Sequence, residues 1–304
     1  MMKAAILSNI VLDEIVSKDG KSIQSLGGPA SYCGITATKF GFDTTLFTHF
    51  GKDLDSKHLE YFKNHGISLN ASYNSDLPTT RFILKNYEND RELFLESKCN
   101  AIDIEEIKKV KSNCWIISPV FDEVSVDILQ YLTSRREKNQ FIMLDPQGYT
   151  RAADPTGRIS ILKSMDLPIN NVNGIKLDNP EISCLTKGLQ GIDGMKKIHS
   201  KYQIDYVMYT QDQTIHLLEN ERHYWLKVPK IDTPDSTGSG DIIVSSFVCT
   251  ILKEKDPVWA FCFASGALTA ALQTREIGIE KIPHRSAIEE NASYYYNIMN
   301  YEKI

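Results

Sequence analysis

Apolar runs bounded by turn residues recur along the chain at Ala4–Leu7, Thr45–Phe50, Cys114–Val120, Phe141–Leu144, Ile175–Leu177 and Tyr206–Tyr209. Several of these runs leave no polar face, so they suit strands of a central sheet covered on both sides. Helical spacing fills the intervals. Pro29–Phe40 stops at Gly41 and Leu54–His65 at Gly66, glycine just past the last turn being an expected stop, while Ile102–Ser112 carries charge along one face. The alternation of strand and helix predicts right-handed βαβ units, and hence an α/β fold with a mostly parallel sheet.

Two segments break that rhythm. Asp19-Gly20 separates Glu14–Lys18 from Lys21–Leu26, and Glu88-Asn89-Asp90 separates Arg81–Tyr87 from Arg91–Glu96, so both read as β-hairpins. Hairpins inserted early into a parallel chain do not join the central sheet easily. They are expected to pair with each other as a small β lid, spanning about residues 14–26 and 80–96, that covers an active site. Residues 1–304 otherwise read as one domain without repeats, low-complexity tracts or linkers.

The most informative stretch is Asp235-Ser236-Thr237-Gly238-Ser239-Gly240-Asp241. Apolar residues at 243, 244, 247, 248 and 251 follow it with the spacing of one helical face, so the glycine loop opens directly into a buried helix. Unpaired N–H groups at such a helix start, with the helix dipole behind them, make an anion site. The loop is expected to hold a phosphate or the charge that develops on one. Asp241, in the first turn, stands where a base for an attacking hydroxyl is needed. The plainer alternative is a tight turn with a dipole-complementing aspartate.

Other phosphate loops do not fit. A Walker A motif needs glycine five residues before Gly-Lys, yet Ile15 and Leu46 hold those places before Gly20-Lys21 and Gly51-Lys52; Ile243 holds the third glycine position of the dinucleotide fingerprint. A G-x-S-x-G elbow is absent, and the seven histidines form no zinc-like pattern. The formal net charge of −5 argues against a broad nucleic-acid surface. Six cysteines without a C-x-x-C pair suggest buried free thiols in a reduced, cytoplasmic protein. The first apolar run meets Asp13 and Glu14 too soon for a signal peptide or a membrane span.

Asp235–Asp241 resembles the D-T-x-G-A-G-D signature of PfkB-type, ribokinase-like kinases, and other segments resemble that family in order from about residue 3 to about residue 290. The resemblance implies a three-layer α/β/α sandwich with a β lid and an ATP- and Mg²⁺-dependent transfer of a phosphoryl group to a hydroxyl of a sugar or polyol. It gives Asp241 the role of base and the amides of Gly238, Ser239 and Gly240 that of anion hole. Gly27-Gly28 before a helix resembles the family's paired-glycine segment, with Tyr32 where many relatives have Asn, and Asp13 matches the acidic residue that grips substrate hydroxyls.

Asp145-Pro-Gln147-Gly-Tyr-Thr-Arg151 resembles the strand-end D-P-N-x-R, with Gln for Asn and an insertion before Arg. It implies that Asp145 and Gln147 meet the substrate and Arg151 the transferring phosphate; the D-x-Q-G-x-x-R form is similar to that of archaeal-type myo-inositol kinases. A surface turn is the plain alternative. Asp178 through Glu181 resembles N-x-x-E, implying a donor contact at Asp178 and Mg²⁺ held through water by Glu181, although a helix cap accounts for the same residues. Thr210 stands where the family's nucleotide segment T-x-G-x-x-G begins, but both glycines are missing. A nucleoside kinase and a non-catalytic sugar sensor stay open as alternatives. The expected partners are small molecules, not nucleic acid or membrane, and the lid offers a surface for a homodimer.

Overall fold

The computed structural model describes residues 1–17, 19–86 and 91–304. The chain begins with β1 (Lys3–Leu7), then β2 (Val11–Val16) and β3 (Ser22–Gly27), and enters α1 (Gly28–Lys39). β4 (Asp43–Gly51), α2 (Ser56–Asn64) and β5 (Ser68–Ser75) precede a second antiparallel pair, β6 (Thr80–Asn86) and β7 (Arg91–Ser97). There follow α3 (Ile104–Ile107), β8 (Cys114–Ile117), α4 (Val126–Ser134), β9 (Phe141–Leu144) and α5 (Gln147–Thr150). A short hairpin, β10 (Arg151–Ala153) and β11 (Ile159–Ile161), leads to β12 (Gly174–Asp178), α6 (Asn179–Thr186), α7 (Gly191–Tyr202) and β13 (Tyr206–Gln211). The last third holds β14 (Thr214–Glu219), β15 (Arg222–Lys227), α8 (Ser239–Glu254), α9 (Pro257–Gln273), α10 (Arg285–Ile298) and β16 (Asn300–Lys303).

The central sheet runs β16-β15-β14-β13-β12-β9-β8-β1-β4-β5. It is parallel from β13 to β5, as the sequence predicts, while β14, β15 and β16 extend it antiparallel. Its strands alternate between two cores with period two. Ala4 and Ile6, Cys114 and Ile116, and Phe141 and Met143 pack on the side of α1, α8, α9 and α10. Their neighbours Ala5 and Leu7, Trp115 and Ile117, and Ile142 and Leu144 pack on the opposite side, with residues of α4, α6 and α7. The apolar runs lack a polar face because both faces are covered.

The helix predicted over Ile102–Ser112 is only the single turn Ile104–Ile107. Ser112 turns its hydroxyl to the carbonyls of Lys3 and Cys114, which bends the segment into β8. That strand in turn ends at Ile117, before Ser118 and Pro119. β2 pairs in parallel with β6, so the two hairpins form one four-stranded sheet, β3-β2-β6-β7, beside the main one. Of the expected turns, Lys18 and residues 87–90 lie outside the described residues. All six cysteines are buried and free.

Candidate active site

A chamber of about 330 Å³ lies between the lid and the strand ends of β9 and β12, with the start of α8 closing it. Asp13, Gly28, Tyr32, Asp145, Gln147, Arg151, Gly238, Ser239, Gly240 and Asp241 line it. Residues far apart in sequence thus meet at one place. Gly27, Asp178, Glu181 and Thr210 do not line it: Gly27 pairs with the lining residue Val11, Glu181 lies 3.9 Å from the lining Lys176, and Asp178 caps the helix after β12.

The glycine loop is built to a fixed shape. Asp235 accepts from the Thr237 backbone N–H at 2.8 Å and from its hydroxyl at 2.6 Å, while its other oxygen takes Gly278 N–H at 2.9 Å and the Lys281 ammonium at 2.8 Å. Both side chains of the Asp235–Lys281 pair are fully buried. Burial would raise the Asp235 carboxyl, but Lys281 and these hydrogen bonds hold it below the usual range. Gly238 has a φ of +70°, and a Cβ there would lie 2.3 Å from the Tyr32 ring. Tyr32, in turn, shares a hydrogen bond of 3.1 Å with the Thr237 hydroxyl.

Asp241 sits buried in the first turn of α8. Burial, reinforced by Asp145, pushes its carboxyl up to about 8, against the opposing pull of Lys176 and Arg151. Arg151 is fixed by donation to the Val120 carbonyl at 3.0 Å and the Gln147 side chain at 2.7 Å, and its guanidinium lies over the lid residue Phe82. On the lid, a Cβ at Gly27 would strike the Asp13 carboxylate at 1.9 Å, so the paired glycine makes room for that side chain.

Lys176 also lines the chamber, although none of the motifs gives it a role. Its ammonium lies 3.2 Å from Asp145 and 3.9 Å from Glu181, and a Cβ at Gly240 would be 3.3 Å from it. Burial would lower its pKa, but Asp145, Glu181 and Asp178 reverse that and raise it, so the ammonium stays charged beneath the loop. A sequence signal existed: in Ile175-Lys176-Leu177 a charge interrupts a strand whose neighbours are buried on both faces. Ser236 and Thr237, which belong to the glycine loop but were given no role, line the chamber too, as do the apolar Val11, Phe82, Leu84, Leu93 and Val120, which lie outside the motifs.

On the far side of β12, Asp178 and Glu181 form a reciprocal capping box at the start of α6. Glu181 is spent on that cap and on Lys176, and burial raises its carboxyl. Among the described residues no group of three or more His, Cys, Asp or Glu could hold a metal ion. This donor set does not fit a protein-held Mg²⁺. Thr210 points its hydroxyl at the Leu177 carbonyl at 3.5 Å, and Asp212 turns the following hairpin with a φ of +52°. No helix of the described residues is long and apolar enough to cross a membrane.

No protein-family model matches the chain, and no curated protein does. Solved structures do. A pyrophosphate-dependent kinase in the ribokinase family, complexed with a pyrophosphate analog and myo-inositol, superposes with a TM-score of 0.78 at 19% identity over 94% of this chain and 99% of its own. A pyrophosphate-dependent myo-inositol-1 kinase converted into a myo-inositol-3 kinase by two substitutions gives 0.78 at 18% over 96% and 99%. Arabidopsis thaliana ribokinase, complexed with ribose and ATP, gives 0.73 at 13% over 96% and 99%. The chain therefore has the ribokinase-like fold, an α/β sandwich with a mostly parallel central sheet.

Proposed function

We propose that the chain is a kinase that transfers the terminal phosphoryl group of ATP to a hydroxyl of a sugar or cyclic polyol, with myo-inositol or a related ring favoured. The observation that carries this reading is the meeting of Asp241, the glycine loop, Lys176 and Arg151 in one chamber with Asp13, Asp145 and Gln147. Asp241 accepts the hydroxyl proton as the oxygen attacks phosphorus, and its raised carboxyl is a stronger base than an exposed aspartate. The amides of Gly238, Ser239 and Gly240, with Lys176 and Arg151, stabilise the charge spreading over the transferring group. Asp13, Asp145 and Gln147 orient the acceptor.

A magnesium ion would be held by the donor's own oxygens and by water, since no group of carboxylates among the described residues gathers to hold it, and it would supply neutralisation of phosphate charge. Asp178 and Thr210 belong to the donor side of this proposal, beyond the chamber.

Inorganic pyrophosphate is a second donor reading. Asp212 replaces a glycine in the segment where this fold class seats a nucleotide, and three of the solved structures of similar fold are of pyrophosphate-dependent kinases. The deciding experiment measures kcat/KM for a panel of cyclitols, hexoses, ribose and nucleosides, each with Mg·ATP and with pyrophosphate. A nucleoside ahead of every polyol by roughly tenfold, about 1.4 kcal/mol, would overturn the acceptor. No transfer to any acceptor from either donor would overturn the kinase and favour a sugar-binding sensor.

A further inference from the structure

The walls of the chamber differ in chemistry. Asp145, Gln147, Arg151, Lys176 and Asp241 offer charge and hydrogen bonds from the strand ends and α8. From the lid, by contrast, Val11, Phe82, Leu84 and Leu93 line the same space, and Asp13 is the one charged side chain among the lid residues described there. Alternation along the strands explains the composition: Val11, Asp13 and Ile15 share a face of β2, Asp13 stands opposite Phe82 of β6, and Leu84 stands opposite Leu93 of β7. Val11, Phe82 and Val120 pack as a cluster with Leu93, Leu95 and Ile159, so the wall is a formed apolar surface.

A ring bound here has its hydroxyls satisfied on one flank only. On the other, Asp13 anchors one position, and any further hydroxyl facing Phe82, Leu84 or Leu93 gives up water without gaining a partner. An apolar group in that place gains by leaving water.

Resting on the kinase reading of the site, we propose that the preferred acceptor is an amphipathic ring. It turns a hydroxylated edge to Asp241 and Asp145 and a hydroxyl-free flank, whether C–H, deoxy or methyl ether, to the lid. Leu84 and Leu93, paired across β6 and β7, are its specificity-determining residues. An apolar wall discriminates against an added hydroxyl by roughly 10- to 100-fold, which sets the size of the effect.

Calorimetric binding without any donor tests this with matched ligands: myo-inositol and ribose against their complete sets of monodeoxy and mono-O-methyl derivatives. At one ring position the derivative should bind about tenfold or more tighter than its parent. In the Leu84→Asn/Leu93→Ser double variant that preference should vanish or reverse. Leu93→Thr, a β-branched change at a half-buried strand position, gives the same readout should the double variant fail to fold. Parents binding as tightly as every derivative, an unchanged preference in the variants, or no binding of any ring would each overturn the proposal. Because no donor is present, a preference found without phosphoryl transfer would sink the kinase reading and leave only the apolar wall's selectivity for a hydroxyl-free flank.

Discussion

Gly238 lies face to face with the Tyr32 ring, leaving 2.3 Å for any Cβ added to the glycine. Its φ of +70° adds backbone strain for any other residue, roughly 1–3 kcal/mol. Gly238→Ala should therefore destabilise the protein by more than that and cut phosphoryl transfer severely. Gly240 is a contrast, because its Cβ would meet only the flexible end of Lys176 at 3.3 Å. Gly240→Ala should keep stability within about 1 kcal/mol, alanine being the better helix former at a helix start. Denaturant unfolding of the two variants checks the order, and equal losses would contradict it.

The raised carboxyl of Asp241 makes two linked forecasts. As a base it works ionised, so kcat/KM should climb with pH and level off above about 8. Its effect on stability has the opposite sign. A folded pKa above the unfolded 3.8 means that the native state binds the extra proton, so stability falls as pH rises from about 4 to about 8. Asp241→Asn should lower kcat by about 10²- to 10⁴-fold. It should also melt higher than the parent at pH 9, with the gap closing towards pH 4. A flat pH profile in the parent would contradict the base.

Lys176 is the cation between two buried carboxylates. Lys176→Met would leave Asp145 and Glu181 without it, and removing one partner of a buried pair costs about 3–5 kcal/mol. The same variant should weaken binding of pyrophosphate or ATP, read by calorimetry, because the anion loop loses its underlying charge. Lowering the pH should recover part of the lost stability by protonating Glu181, whose carboxyl burial already raises.

The strap formed by β10 and β11 touches the lid. Leu95 of β7 donates to the Gly157 carbonyl at 2.8 Å, Arg158 pairs with Glu92 at 2.6 Å, and a Cβ at Gly157 would lie 2.4 Å from the Leu95 carbonyl oxygen. With its φ of +81°, Gly157→Ala should prise the strap from β7 at a strain of roughly 1–3 kcal/mol. The acceptor KM should rise severalfold, while the pH dependence of kcat stays as in the parent. Steady-state kinetics across pH separates these effects.

What could be read in the sequence was whatever period and local chemistry determine. The parallel strands were legible because both of their faces are apolar, and the helix after Gly240 because its apolar spacing begins immediately. The extension β14–β16 was not. Thr214–Glu219 and Arg222–Lys227 mix His216, His223 and Arg222 into their strands, and His216 and His223 stack on one another with Glu302 of β16 bonded to His223. Such strands are stabilised by partners that only tertiary pairing supplies. In the site, glycines and carboxylates in motifs stood out, whereas Lys176 and the apolar lid wall matter through where the fold puts them.

The buried cysteines give the molecule a set of internal reporters. Burial raises the pKa of each of the six thiols, that of Cys249 and Cys262 to about 12, so almost no thiolate is present at neutral pH. Cys33 lies in α1 against the Asp241 carbonyl at 3.4 Å, Cys114 in β8 and Cys249 within α8. A thiol reagent added to the native protein can therefore react at these positions only when the surrounding structure opens. Mass-resolved rates at each cysteine would yield a map of local opening free energies, from the core of the sheet to the helix that carries the glycine loop.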